Sequence, residues 1–126
     1  MEKRIFTVLF IAVFATMLGT GIIEPFMAIY AKDLGANGLM IGLIFGSFTL
    51  SRAIFTPLIG RISDFKGRKN LLLVGLSGYT ILSFFYAVAT SATSLVTVRI
   101  LHGLASAMVL PISMAYIGDI APKNQE

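Results

Sequence analysis

Four ionisable side chains stand inside long apolar stretches of this sequence: Glu24, Arg52, Arg99 and His102. An ionisable group at membrane depth costs at least ~2.5–3.5 kcal/mol on insertion scales, so it faces a cavity or a partner. With a rise of ~1.5 Å per residue, Glu24 lies roughly 9 Å in from the outer end of a first membrane helix and Arg99 roughly 6 Å in from the outer end of a fourth. Those helices cross in opposite directions, which brings the two groups to a similar depth. His102 follows Arg99 by three residues, on nearly the same face and one turn deeper. The spacing predicts a cluster of Glu24, Arg99 and His102, in which a carboxylate exchanges its Arg partner for a proton or a cationic ligand. A static buried ion pair that only fixes helix register is the competing reading.

A second constellation reads Gly60-Arg61-Ile62-Ser63-Asp64-Phe65-Lys66-Gly67-Arg68-Lys69-Asn70. A turn needing only positive charge has no use for an Asp four residues before an Arg, with glycines at 60 and 67. Gly67 suits a tight reversal at φ > 0. Asp64 suits a cap or a cross-helix pair, and Arg68 suits a bidentate carboxylate contact or helix C-terminal carbonyls. Asp119 ends the fourth apolar run on the same side of the membrane. Asp119 or Asp64 is expected to pair with Arg61 or Arg68 as a gate latch, with plain surface pairing as the alternative. Arg52, about a dozen ångströms from that side, either joins the latch or snorkels. Pro25 and Pro111 each remove a backbone donor and predict kinks in their helices.

The elements that must carry these groups are legible from charge-free runs. Ile5–Ile23, Leu34–Ser51, Asn70–Val98 and Ile100–Gly118 hold 19, 18, 29 and 19 residues without a charge. A hydrocarbon layer needs ~20 apolar residues per helix, so four transmembrane helices are expected at roughly 5–30, 39–60, 71–90 and 95–118. The runs lack the period-2 alternation of a barrel wall. At 126 residues, 56% hydrophobic, 13% charged and mean hydropathy +0.88, the chain leaves no room for a soluble domain beside these spans. The first run is too long for a signal-peptide core and is followed by no clean cleavage site.

Of the ten Lys and Arg, Lys3, Arg4, Arg61, Lys66, Arg68, Lys69 and Lys123 fall on one side, and Lys32 alone on the other. The positive-inside bias makes the first side cytoplasmic, with both termini. Topology thus explains the surplus of +4 without a nucleic-acid partner. Connections of about eight (31–38), ten (61–70) and four (91–94) residues are expected. Gly19, Gly21, Gly42, Gly46, Gly75, Gly78 and Gly103 with Ala107 are read as helix-packing positions. One His, no Cys, no phosphate-binding Gly-Lys loop and no paired metal-ligand motif argue against an enzyme, a metal site or a bound cofactor.

Three motifs carry a family resemblance. Gly60-x-x-x-Asp64-x-x-Gly67-Arg68-Lys69 resembles the loop signature between the second and third helices of the major facilitator superfamily. Arg99-x-x-x-Gly103-x-x-x-Ala107 resembles that family's fourth-helix segment, and Leu18-Gly19-Thr20-Gly21-Ile22-Ile23-Glu24-Pro25 is similar to the first helix of its drug:proton antiporters. Phe65 departs from the basic residue common after the Asp. His102 stands where antiporters often carry Gln, and Glu24 where they carry an apolar residue.

The resemblance implies an all-α membrane domain equivalent to the N-terminal four helices of a twelve-helix transporter, cut within a 3+3 inverted repeat. It implies secondary transport of a small molecule by alternating access, driven by a proton gradient rather than a cofactor. Its setting is the bilayer of a cell's inner membrane, and its partners are the remaining helices. A complete four-helix multidrug transporter acting as a dimer, and a non-transporting membrane fragment, are the alternatives.

Overall fold

The computed structural model describes residues 2–121, and the side chains of 3–121. Lys123, counted above for orientation, lies outside the described residues. Four helices account for nearly all the rest: α1 (Glu2–Asp33), α2 (Gly38–Lys66), α3 (Arg68–Val88) and α4 (Ala92–Ile120). All four are long and apolar enough to cross a membrane. The physical reason is that lipid offers no partner for a peptide group, so each run must satisfy its hydrogen bonds within itself. The aromatic and aliphatic side chains that cover α1, among them Phe10, Phe14, Ile22 and Phe26, are exposed as a lipid-facing surface requires.

The connection expected at 61–70 is not a loop of ten residues. α2 continues to Lys66 and α3 begins at Arg68, with Gly67 alone between them. Polar residues leave the hydrocarbon without ending a helix, because helical hydrogen bonds persist in the headgroup region. Gly67 ends it by adopting φ 87°, ψ 137°, which a side chain would disfavour, while its N–H still donates to the Ser63 carbonyl at 3.0 Å. At the other end the chain turns at Gly35 (φ 82°), and Asn37 caps α2 by accepting from the Met40 N–H at 2.9 Å. Ser91 and Ser94 form a capping box at the start of α4. Tyr30 donates its hydroxyl to the Ala89 carbonyl at 2.8 Å, tying the ends of α1 and α3.

The most intimate helix pair, α2 with α4, is not sequential. α4 lies at the centre, packed along α2 on one side and α3 on the other, while α2 and α3 touch little and α1 rests more loosely on α4. Two glycines explain the close approach. A Cβ at Gly103 would lie 2.5 Å from the Phe48 carbonyl oxygen, and one at Gly75 would lie 2.5 Å from the Met108 Cβ. The other expected packing glycines differ: Gly19, Gly21, Gly42 and Gly46 meet nothing within 4 Å, and Gly78 has only ordinary contact with Ala105. The G-x-x-x-G of α2 is thus turned away from the three other helices.

Two apolar cores form. One gathers Leu9, Ile59, Leu71, Leu72, Ala107, Val109 and Ile112, and the other Met27, Ala31, Ile44, Tyr86, Ala89, Leu95 and Val98. On every helix the segment between the two cores carries the polar groups: Glu24, Arg52, Tyr79, Arg99 and His102. α1 runs through Pro25, α2 through Pro57 and α4 through Pro111, each as a single helix.

Candidate functional site

Arg99 is the most constrained side chain of the middle zone. It is 1% exposed, its Nε donates to the Ile44 carbonyl at 3.1 Å, and its guanidinium carbon sits 4.5 Å from the centre of the Phe48 ring. Gly103, one turn on, makes this possible by letting α2 approach α4 until the Ile44 carbonyl is in reach. Ser51 reinforces the contact by donating to the Ile100 carbonyl at 2.6 Å.

Glu24 meets the same guanidinium from α1, with Oε1 3.8 Å from Nη2. The two partners differ sharply in setting, since the carboxylate is 46% exposed against 1% for the arginine. Glu24 lines a cavity of about 290 Å³ bounded by Thr16, Thr20 and Gly21 of α1, Phe48 and Arg52 of α2, Tyr79 of α3, and Ser106, Val109 and Leu110 of α4.

His102 does not join them as expected. It is 1% exposed and turns to α3, where Nδ1 shares a hydrogen bond of 2.8 Å with the Tyr86 hydroxyl and the ring meets Tyr79 edge-on with centroids 4.0 Å apart. Its Nε2 is buried without a hydrogen-bond partner. Three residues of separation put His102 a turn from Arg99 on α4, and Phe48 lies against both, but the hydrogen-bond partners differ, the Ile44 carbonyl for one and the Tyr86 hydroxyl for the other. Tyr79 and Tyr86 carried no sequence signal beyond their position seven apart in an apolar run.

At the basic end of the bundle, Arg68 pairs with Asp119 through Nε and Oδ2 and through Nη2 and Oδ1 (3.3 Å), and with Asp64 through Nη2 and Oδ1 at 3.2 Å. One guanidinium at the start of α3 therefore ties the last turn of α2 to the last turn of α4. Gly60 and Lys69 flank this site without adding an ion pair. Arg61 and Arg52, expected as latch partners, make no ion pair among the described residues. Arg61 is exposed on α2, and Arg52 lines the cavity instead. Because α2 continues to Lys66, Arg52 stands at the middle of its helix rather than near the end.

The sequence has relatives among known proteins. The model of the Major Facilitator Superfamily matches residues 9–126. The chain belongs to the Major Facilitator Superfamily. An uncharacterised MFS-type transporter, MJ1560, of Methanocaldococcus jannaschii is 43% identical over 125 residues, covering 99% of this chain and 32% of that protein. The quinolone resistance protein NorA of Staphylococcus aureus strain Mu50 is 35% identical over 126 residues, covering 100% of this chain and 32% of NorA. The chain thus spans about a third of the length of these curated relatives.

Membership in this superfamily and four helices long enough to span describe a multi-pass membrane protein in a lipid bilayer. The superfamily motifs occupy distinct physical roles here: the Gly60–Lys69 segment and Asp119 form the ion-pair network, Arg99 and Gly103 form the α2–α4 seam, and Glu24 lines the cavity.

Proposed function

We propose that this chain forms the first four helices of a twelve-helix secondary transporter that exports small amphiphilic molecules in exchange for protons. The observation that carries the reading is the unequal anchoring of Glu24 and Arg99. The arginine keeps a carbonyl and an aromatic face whatever the carboxylate does. The carboxylate has one long contact and an open cavity beside it. Protonation of Glu24, or its capture of a cation, changes the charge of the cavity without dismantling the wall that holds Arg99. Such a pair biases one conformation over another only through the difference in its contacts between the two.

The second contribution comes from the Arg68 network. Seven Lys and Arg on its side of the membrane support a cytoplasmic location with both termini inside, in the inner membrane of a cell. There Arg68, Asp64 and Asp119 act as a latch that holds α2, α3 and α4 together while the opposite face is open. Similarity to a protein named for quinolone resistance supports a drug-like amphiphile as cargo. No cofactor is required, because the proton gradient supplies the driving force.

The test is proton-driven flux in vesicles carrying the complete transporter, with Glu24→Gln against wild type. The expected result is a loss of flux of about tenfold or more with substrate binding retained within about threefold. Flux equal to wild type would leave Glu24 as a register-setting partner of Arg99 and overturn its coupling role.

A further inference from the structure

Arg52 is the one cavity-lining charge that the coupling and latch roles leave unused. It stands nine residues, about 13 Å by helical rise, from Arg61, the next charge toward the basic end of α2, and so lies inside a hydrocarbon layer ~30 Å thick. A guanidinium cannot snorkel that distance. Among the described residues its side chain makes no ion pair or hydrogen bond, although its backbone carbonyl accepts from Thr56 at 2.6 Å. Glu24 faces the same cavity but has its ion-pair contact with Arg99. Among the described residues, two guanidiniums therefore stand against one carboxylate in the middle zone.

The rest of the cavity says what kind of molecule brings the missing negative charge. Thr16 and Thr20 donate their hydroxyls back to their own helix, each at 2.8 Å from a carbonyl, so they offer the cavity acceptors rather than donors. Arg52 dominates as a donor, and its planar fork matches a carboxylate in bidentate geometry. Met17, Phe48, Val109 and Leu110 supply an apolar surface beside it. We propose that Arg52 is an anion subsite of this cavity and binds the carboxylate of an amphiphilic aromatic substrate. The assignment rests on the transporter reading above and adds a substrate class to it.

The experiment uses the complete transporter and two probes that differ only in charge, naphthoic acid and its methyl ester, with binding followed by calorimetry. Wild type is expected to bind the acid about tenfold or more tightly than the ester, a difference of about 1.4 kcal/mol. Arg52→Gln should bring the acid down to the ester and leave the ester unchanged. Arg52→Lys should recover part of the acid's advantage, since it restores the charge without the fork. Failure of wild type to bind the acid, or equal binding of acid and ester, overturns the subsite without need of any variant. Acid binding unchanged in Arg52→Gln overturns it as well, and assigns Arg52 a carboxylate elsewhere in the transporter. Proton-driven efflux of a lipophilic cationic dye from the same vesicles separates the two levels. If the dye is exported but the acid shows no preference, the subsite falls and the transport reading stands. If neither dye nor acid moves, the transport reading falls.

Discussion

At the scale of single residues, Arg99 and His102 show how a buried polar group is made tolerable. The arginine spreads its charge over a carbonyl, an aromatic face and a loosely held carboxylate. Lysine in its place would keep the charge but lose the fixed Nε donor and the flat face. Arg99→Lys is expected to lower stability by about 1–3 kcal/mol, read as a fall in the thermal midpoint of the complete transporter in detergent. An unchanged midpoint would mean that the Ile44 carbonyl contact contributes nothing. His102 depends on the Tyr86 hydroxyl at 2.8 Å in the same way. Tyr86→Phe leaves the histidine with both ring nitrogens unpartnered and is expected to cost about 1–3 kcal/mol, whereas Tyr30→Phe removes a bond from a half-buried donor at a helix end and should cost less.

At the scale of elements, the approach of α4 to its neighbours is set by positions where no Cβ fits. Gly75 and Gly78 offer a controlled comparison, since both sit on α3 against α4. An added Cβ at Gly75 would collide with Met108, while at Gly78 it would touch the Ala105 Cβ at 3.7 Å. Gly75→Ala should therefore destabilise by about 1–3 kcal/mol through overpacking. Gly78→Ala should be neutral or mildly stabilising, because alanine favours the helix by about 1 kcal/mol over glycine. Thermal unfolding of the two variants side by side decides it, and equal midpoints would show that the helices slide to accommodate the methyl group. Gly67→Ala is different in kind, since the conflict there is with φ 87° rather than with a neighbour. Its expected effect is a cost of about 1–3 kcal/mol from backbone strain.

At the scale of the whole molecule, a polar layer lies between two apolar cores, and an ion-pair network closes one end. That arrangement separates two kinds of failure. Changes in the cores lower stability, whereas changes in the network should alter the balance between conformations. Arg68→Glu is expected to reduce transport by about tenfold or more in the complete transporter, with thermal stability little changed because the pair is partly exposed. Adding Asp119→Arg to that variant should recover part of the flux by restoring opposite charges across the α3–α4 contact. Flux insensitive to both changes would reduce the network to surface pairing.

Charge-free length alone determined the four helices, because a run of about twenty apolar residues has only one way to satisfy its backbone in lipid. The loop motif at Gly60–Lys69 and the Arg99–Gly103 spacing were enough to mark the family, and Gly67 was legible as a turn because no other residue type suits its backbone angles. Helix ends were less visible, and the ten-residue connection drawn at 61–70 contracted to one glycine because charged residues continue a helix as readily as apolar ones. Only the tertiary structure decided which neighbours each polar group meets. It turned His102 from Glu24 to Tyr86, moved Arg52 from the expected latch to the cavity wall, and left Gly42 and Gly46 uncovered while burying Gly75 and Gly103. The reason is that sequence spacing assigns a residue to a face of its own helix, whereas the partner of that face depends on how the helices are arranged. Here α4, last in the chain, lies between α2 and α3, and no local pattern encodes that placement.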